Sequence, residues 1–297
     1  MIRKKGWIIY NGNLHSTKFS EQVEWLIKTA HSFNIEMKAI KNNDLLVTIH
    51  NAQAALLGIS EYPDFVFFWD KDLFLARQLE KMGIRLFNRA SAIEICDDKA
   101  LTYQHLSDHG ISMPQTIIAP KVFMELQDYG HLSMVKETLG FPLIIKETFG
   151  SFGEQVYLIE NEKDLIKKTT ELGSKAYIFQ KYIRSSYGKD VRLNVVGDRV
   201  VASMLRQSDN DFRANVTAGG KMYPYQPSEQ EQELAIRCSQ LIGTDFAGVD
   251  LLFGENGEPI LCEVNSNSHF KNIYDCTGVD VTISMMEYIQ HALEGRH

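Results

Sequence analysis

The segment from Ala247 to Asn265 carries the densest chemistry in the chain: Ala-Gly-Val-Asp-Leu-Leu-Phe-Gly-Glu-Asn-Gly-Glu-Pro-Ile-Leu-Cys-Glu-Val-Asn. Asn256-Gly257 is the preferred centre of a two-residue type I′ turn. That turn sets a register in which Glu255 faces Glu258, Phe253 faces Ile260, Leu251 faces Cys262 and Asp250 faces Glu263. Residues two apart on a strand share a face, so Glu263 and Asn265 point the same way and Asp250 joins them from the next strand. Like charges directly opposite destabilise a sheet, and among apolar neighbours they are costly unless neutralised. A divalent cation supplies that neutralisation. An all-oxygen donor set selects Mg²⁺ or Mn²⁺ over zinc. The competing reading is an acid turned to solvent, protonated or paired with arginine.

The cations lie upstream. Phe141-Pro-Leu-Ile-Ile-Lys146 reads as a buried strand ending in a lysine, and it runs into Glu147-Thr-Phe-Gly-Ser-Phe-Gly153. Gly150 and Gly153 let backbone N–H groups approach phosphate oxygens, with Lys146 as a point charge beside them. No Gly-Lys-Ser/Thr follows, which excludes a P-loop. Asp97-Asp98-Lys99 opens a helix. The aspartates suit its N-terminus, whereas Lys99 opposes the dipole, a cost that a bound anion would offset. Tyr177 to Ile183 is an apolar strand that could offer backbone groups to an adenine edge. Asp190 to Arg206 is a hairpin turning at Gly197-Asp198, with Asp190, Arg192 and Asn194 on one face. Its ideal register places Arg206 opposite Lys189 on the other face, so only a bulge or twist brings Arg206 toward Arg192. Arg213 and Asn215 sit on a loop before Gly219-Gly220, where they could bind ligand oxygens. Taken singly, each of these pieces also reads as an ordinary strand, hairpin or solvated side chain.

These residues need elements to position them. The first third alternates strands with helices: a strand at Gly6 to Tyr10, helical spacing at Phe19, Val23, Leu26, Ile27 and Ala30, a strand at Phe65 to Trp69, a helix from Lys71 to Met82 and a strand at Arg85 to Asn88. No G-x-G-x-x-G follows Tyr10, so this is not a dinucleotide fingerprint. From Lys99 to His109 a lone helix is expected, and beyond it hairpins and helices mix in an α+β pattern. Pro120 to Tyr129 suits a loop or a short helix.

Composition narrows the class. The 297 residues can bury a core without staples. With 31 Lys+Arg against 38 Asp+Glu the net charge is -7, which argues against a nucleic-acid partner. Cys96, Cys238, Cys262 and Cys276 form no C-x-x-C pair, and they suit reduced thiols in the cytoplasm. The apolar run after Trp7 is too short for a signal peptide, and no run is long enough to span a membrane.

In this order and spacing the pieces resemble the ATP-grasp superfamily, most closely its RimK-type amino-acid ligases. The carrying residues are Asp98-Lys99, Pro142 to Lys146, Gly150 to Gly153, Gln180 to Ile183, Asp190 to Arg192, Val195 to Asp198, Arg206, Phe212 to Asn215, Gly219-Gly220, Ala247 to Asp250 and Glu263 to Asn265. The resemblance implies an α/β preATP-grasp domain over 1–97, then an α+β ATP-grasp fold of two subdomains, 98–185 and 186–297, that clasp ATP. It implies that Lys99 and Lys146 contact phosphates under a mobile lid that includes Ser151 and Gly153. Gln180, Lys181, Tyr182 and Ile183 would line the adenine, with Lys181 and Ile183 bonding it through the backbone, and Asp190 would hold the ribose. Arg213 and Asn215 would sit near the γ-phosphate, and Arg206 near the transferred group. Asp250, Glu263 and Asn265 would carry two Mg²⁺ or Mn²⁺ ions. The implied reaction joins a carboxylate to an amine through an acyl phosphate, the alternatives being an ATP-grasp enzyme with another acceptor, such as a carboxylase or thioester former, or a non-catalytic ATP-binding interaction module. The substrate would be a small amino acid, a peptide or a protein tail. Two departures stand out. Glu154-Gln155 replace a further lid glycine, and Ser266-Asn-Ser-His-Phe-Lys-Asn272 replaces the family's Ser-Pro-Gly run, so glutamate is not carried over as substrate. His269 and Lys271 lie where the second substrate should approach. A homo-oligomer fits the sequence, which does not fix the oligomeric state.

Overall fold

The computed structural model describes residues 3–14, 17–124, 126–150, 153–214 and 219–295. Apolar runs set its first sheet. β1 (Lys4–Tyr10), β2 (Ile35–Lys41), β5 (Phe65–Trp69) and β6 (Arg85–Phe87) pair in parallel in the order β2-β1-β5-β6, with a separate hairpin of β3 (Val47–His50) and β4 (Gln53–Leu56). β5 is buried along its whole length. Parallel strands covered on both faces read as such continuous apolar runs. α1 (Thr17–Ser32) and α2 (Leu73–Lys81) cover the sheet. The helix expected from Lys71 begins at Leu73 instead. The Lys71 N–H is taken by the Asp70 carboxylate at 2.6 Å, and Asp72 caps the helix by accepting from Leu75 N–H at 3.1 Å. β2 and the β3–β4 hairpin were not foreseen.

α3 (Ala90–Asp97) and α4 (Lys99–Leu106) follow. Asp98 ends one and caps the other, accepting from the N–H groups of Ala100 and Leu101 at 2.9 and 3.2 Å. α4 therefore starts at Lys99 as expected and stops before His109. A second sheet is antiparallel, in the order β7-β10-β8-β9: β7 (Thr116–Ile118), β8 (Leu143–Glu147), β9 (Val156–Ile159) and β10 (Tyr177–Lys181). α5 (His131–Leu139) and α6 (Glu162–Leu172) pack Leu132, Val135, Leu165 and Leu172 on Ile145 and Phe179. The described residues of the 120–129 segment form neither helix nor strand.

The third sheet runs β13-β12-β11-β14-β15, all antiparallel: β11 (Lys189–Val196), β12 (Arg199–Gln207), β13 (Lys221–Pro224), β14 (Phe246–Phe253) and β15 (Pro259–Asn265). Period-2 alternation makes it two-faced. Val191, Leu193, Val249, Leu251 and Leu261 pack on Ala235, Cys238 and Ile242 of α7 (Glu229–Ile242). Asp190, Arg192, Asp250 and Glu263 take the opposite face. α8 (Lys271–Thr277) and α9 (Val281–Leu293) complete the chain.

Two bulges correct the expected registers. In the β14–β15 hairpin only Gly257 has a positive φ, of 82°, whereas a type I′ turn needs one at both central residues. The loop closes instead from Gly254 N–H to the Glu258 carbonyl at 2.8 Å. Phe253 therefore faces Pro259 and Leu251 faces Leu261, one residue away from the expected register. Cys262 is the extra residue that restores it, so Asp250 still faces Glu263. In the β11–β12 hairpin Val201 is the extra residue. It shifts the register so that Arg206 faces Asp190 rather than Lys189. Bulges of this kind re-aim side chains beside functional sites.

Candidate active site

The second and third sheets, with the carboxyl edge of the first, enclose a cavity of about 670 Å³. Pockets of roughly 300–1,000 Å³ hold drug-sized ligands. The described residues to which the resemblance assigns a nucleotide, phosphoryl or metal role all line this cavity: Lys99, Lys146, Gly153, Gln180, Lys181, Tyr182, Ile183, Asp190, Arg206, Arg213, Asp250, Glu263 and Asn265. Ser151 and Asn215 lie outside the described residues.

The cavity floor is the charged face of the third sheet. Arg192, Asp250 and Glu263 stand in one cross-strand row, with Arg206 and Asp190 paired beside it. Arg192 forks onto Asp250, with Nη2 2.7 Å from Oδ2 and Nε on Oδ1. Arg206 forks onto Asp190 at 2.6 and 2.8 Å and also reaches Asp250 Oδ2 at 2.9 Å. Burial alone would raise Asp250, but Arg192 and Arg206 outweigh it and hold its carboxyl below the ordinary value. Asp190 goes the other way. Burial dominates, and the neighbouring Asp250 charge adds to it against the pull of Arg206. Burial likewise disfavours the Arg206 cation, yet Asp190 and Asp250 together raise its pKa. The arginine pairing of Asp250, weighed in the sequence as the competitor to a metal, is thus present alongside the facing acid pair.

Two lysines stand over this floor. Lys99, at the start of α4, is buried and has Nζ 3.6 Å from Glu263 and 3.4 Å from the Gly150 carbonyl. Lys146, on β8, has Nζ 3.8 Å from the Cys262 thiol. Burial pushes the Lys146 ammonium down, but attraction to Cys262, Tyr103 and Glu263 more than offsets it and the pKa rises. Burial lifts Tyr103 to about 12 and Cys262 to about 11. The bulged Cys262 carbonyl also accepts the Tyr103 hydroxyl at 2.7 Å. That contact fixes α4 against β15, and with it Lys99 against Glu263.

On the far wall, Gln180 is buried and donates to the Thr116 hydroxyl at 2.9 Å. The Lys181 N–H is engaged by the Gln115 carbonyl at 2.9 Å. Arg213 folds onto Asp211 at 2.8 and 3.0 Å and donates to the Gly153 carbonyl at 2.7 Å, so the two glycine-flanked loops meet. His269 is packed edge-on between Phe19 and Trp69, with Nδ1 3.2 Å from Gln22. Lys271 pairs with Asp275 at 3.1 Å at the cavity edge.

Sequence reasoning gave the first sheet no part in the site, yet Asn11, Trp69 and Asp70 line it. The loop after β15 is clamped to that sheet. Asn88 donates to the Ser266 and Phe246 carbonyls at 2.8 and 2.9 Å and accepts from the N–H groups of Asp245 and Phe246 at 2.6 and 3.0 Å. The available signal was position: Asn11 and Asp70 each follow directly on a parallel strand, and open α/β sheets bind ligands at strand carboxyl ends.

The donor chemistry fits a hard cation. Asp250, Glu263 and Asn265 offer two carboxylates and an amide. Among the described residues no group of three His, Cys, Asp or Glu forms a self-sufficient metal site. Mg²⁺ is commonly held by one or two carboxylates with substrate phosphates completing its shell, which is the incomplete set present here. Among the described residues no helix is long and apolar enough to cross a membrane.

Known proteins resemble this chain in sequence and in fold. The profile of the RimK-like ATP-grasp domain matches residues 96–289. Beta-citrylglutamate synthase B of Mus musculus is 34% identical over 268 residues, covering 86% of this chain and 68% of that protein. N-acetylaspartylglutamate synthase A of Homo sapiens is 32% identical over 277 residues, covering 89% and 70%. In fold, D-alanine–D-alanine ligase from Bacillus anthracis complexed with ATP superposes with a TM-score of 0.73 at 18% identity, over 99% of this chain and 98% of that one. The family's domain thus spans both sheets that carry the charged floor and the lysines above it, and this chain is a member of the RimK-like ATP-grasp family of ligases.

Proposed function

We propose that the chain is an ATP- and Mg²⁺-dependent ligase that activates a carboxylate as an acyl phosphate and couples it to the amino group of an amino acid or peptide. The observation that carries this reading is the meeting of Asp250, Glu263 and Asn265 with Lys99 and Lys146 on the wall of one cavity. Asp250, Glu263 and Asn265 would hold the ions, two in number. Bound there, they supply Lewis-acid neutralisation of the phosphate oxygens. Lys99 and Lys146 would bind phosphates as buried point charges. The adenine edge would be read by the Lys181 carbonyl and the Ile183 N–H, because the Lys181 N–H is already engaged, with Asp190 at the ribose. Arg206 is braced by two carboxylates and cannot swing; such a preorganised cation suits charge that develops as the phosphoryl group moves. Ser151 and Asn215 keep their roles in this reading, at the lid and the γ-phosphate, and Arg213 would leave Asp211 to join them.

The substrate carboxylate attacks the γ-phosphorus and ADP leaves. The amine then attacks the acyl carbon, phosphate leaves, and the amine gives up a proton. No protein nucleophile is required. We take the division at 1–97, 98–185 and 186–297 as the working units of this cycle, in a cytoplasmic setting. Both curated relatives are named as synthases of glutamate conjugates, which makes glutamate the first amine to try.

The test is an ADP-release screen of carboxylates, amino acids and dipeptides, singly and in pairs, with product masses. Expected is release that needs a carboxylate and an amine together, with a product lighter than their sum by one water. Release indifferent to the amine would count against an amide-forming reaction. In the same assay Lys146→Ala should raise the KM for ATP about 10- to 100-fold, the worth of one charge-assisted contact. Lys167→Ala, whose side chain is 72% exposed, should leave it unchanged. Equal KM values in the two variants would remove Lys146 from the phosphate site.

A further inference from the structure

The first sheet contributes a crevice of its own to the cavity. Its order β2-β1-β5-β6 means that the chain leaves β1 for a neighbour on one side and later fills the other side with β5. Parallel neighbours whose connections run in opposite directions open a gap at their carboxyl ends, and ligands bind there in open α/β sheets. Asn11 follows β1 and Asp70 follows β5. They meet at that gap, with Asn11 Nδ2 donating to Asp70 Oδ1 at 3.4 Å, and both line the cavity.

Asp70 is only 7% exposed. Its Oδ1 also accepts the Lys71 N–H at 2.6 Å and the Asp72 N–H lies near the same carboxylate, whereas Oδ2 is shielded from solvent and makes no hydrogen bond of normal geometry among the described residues. The other acids on the cavity wall each face a cation. Asp97 has Lys71, Asp190 has Arg206, Asp250 has both Arg192 and Arg206, and Glu263 has Lys99. Lys71, the cation nearest Asp70 in sequence, is therefore turned to Asp97. A buried carboxylate oxygen without a donor is costly, and a bound ligand is one thing that relieves the cost.

We propose that Asp70, with Asn11 beside it, is the docking point for the ammonium group of the substrate. An ammonium offers a full positive charge and N–H donors, which are what the unpartnered oxygen lacks. The position also suits the reaction. Asn267, two residues past Asn265, donates to the Asp70 carbonyl at 2.9 Å, so the acid is tied to the loop that leaves the metal-binding strand. This assignment rests on the ligase reading and names its amino-group subsite. The opposing account is an acid kept protonated as part of the wall, in which case asparagine would replace it without effect on ligand binding.

The test is a thermal-shift titration of the full chain with Mg·AMP-PNP present. One arm adds a mixture of the common amino acids; the other adds their counterparts lacking the amino group. The unaltered protein should respond to the first mixture and far less to the second. Asp70→Asn should weaken the apparent affinity for the amino acids about 30-fold, the loss of one charged contact, with an unchanged shift from Mg·AMP-PNP. Asn11→Ala, at a partly exposed position, should weaken it about 3-fold and covers the case in which the Asp70 variant does not fold. Equal responses to the two mixtures would overturn the assignment. So would amino-acid affinity that both variants leave untouched. Failure of the unaltered protein to respond to Mg·AMP-PNP itself would overturn the ligase reading along with it.

Discussion

Glu263→Gln is expected to lower Mg·ATP-dependent ADP release about 10²- to 10³-fold, the usual cost of removing one preorganised charge stabiliser from a phosphoryl-transfer site. Charge balance along one row of the third sheet sets the size of this effect. Asp250 is already compensated by Arg192 and Arg206, which hold its carboxyl low. Among the described residues Glu263, directly opposite, makes one ion pair, with Lys99 at 3.6 Å, beside the more distant attraction of Lys146, and its side chain is 30% exposed. Most of the negative charge still available to an ion is therefore on Glu263. Glutamine keeps the volume and one oxygen but removes that charge. The fold should barely notice, because a partly exposed pair at that distance contributes about 1 kcal/mol or less, or about 3 °C in Tm. Coupled ADP assays over a range of Mg²⁺ give the decisive reading. A variant with the original rate and the original Mg²⁺ midpoint would show that Glu263 binds no catalytic ion.

The acid pair was legible in the sequence because strand alternation is robust to small errors near a turn. The assumed turn was wrong, and the bulge at Cys262 cancelled the error before it reached Asp250. No pattern in the sequence announces that bulge. It is stabilised from outside the hairpin, by the Tyr103 hydroxyl on its carbonyl. Arg206 shows the same limit with the opposite outcome. Ideal pairing put it on the wrong face, and one extra residue at Val201 turned it to Asp190. The ordered motifs from Asp98 to Asn265 were enough to place the family, since each is local. The part played by the first sheet was not legible. Asn11 and Asp70 become neighbours only through the strand order β2-β1-β5-β6, and the order in which parallel strands line up depends on long-range crossovers rather than on any window of sequence.

The bulge-dependent cluster leads to the second large effect. Arg206→Met should cost about 3–5 kcal/mol of stability, because it leaves two buried carboxylates without the cation they share. Asp250 retains Arg192, so most of the damage falls on Asp190. Its carboxyl is already raised, first by burial and then by the Asp250 charge, even with Arg206 in place. A carboxyl whose folded pKa lies above its unfolded value binds a proton more readily in the folded state. Its ionisation therefore costs stability as pH rises through the folded pKa, and the cost disappears below the unfolded pKa. Without Arg206 that cost grows, so the Tm deficit of the variant should be largest at neutral pH and above and should shrink as the pH falls toward the carboxylate range. A deficit independent of pH would mean that lost packing around the arginine stem, rather than exposed charge, is responsible. Adding Asp190→Asn should restore part of the stability, because the two side chains are in contact and their effects do not add. It should not restore kcat if the Arg206 charge acts on the transferred phosphoryl group. Recovery of stability and rate together would assign Arg206 the narrower task of holding Asp190 and Asp250 in place.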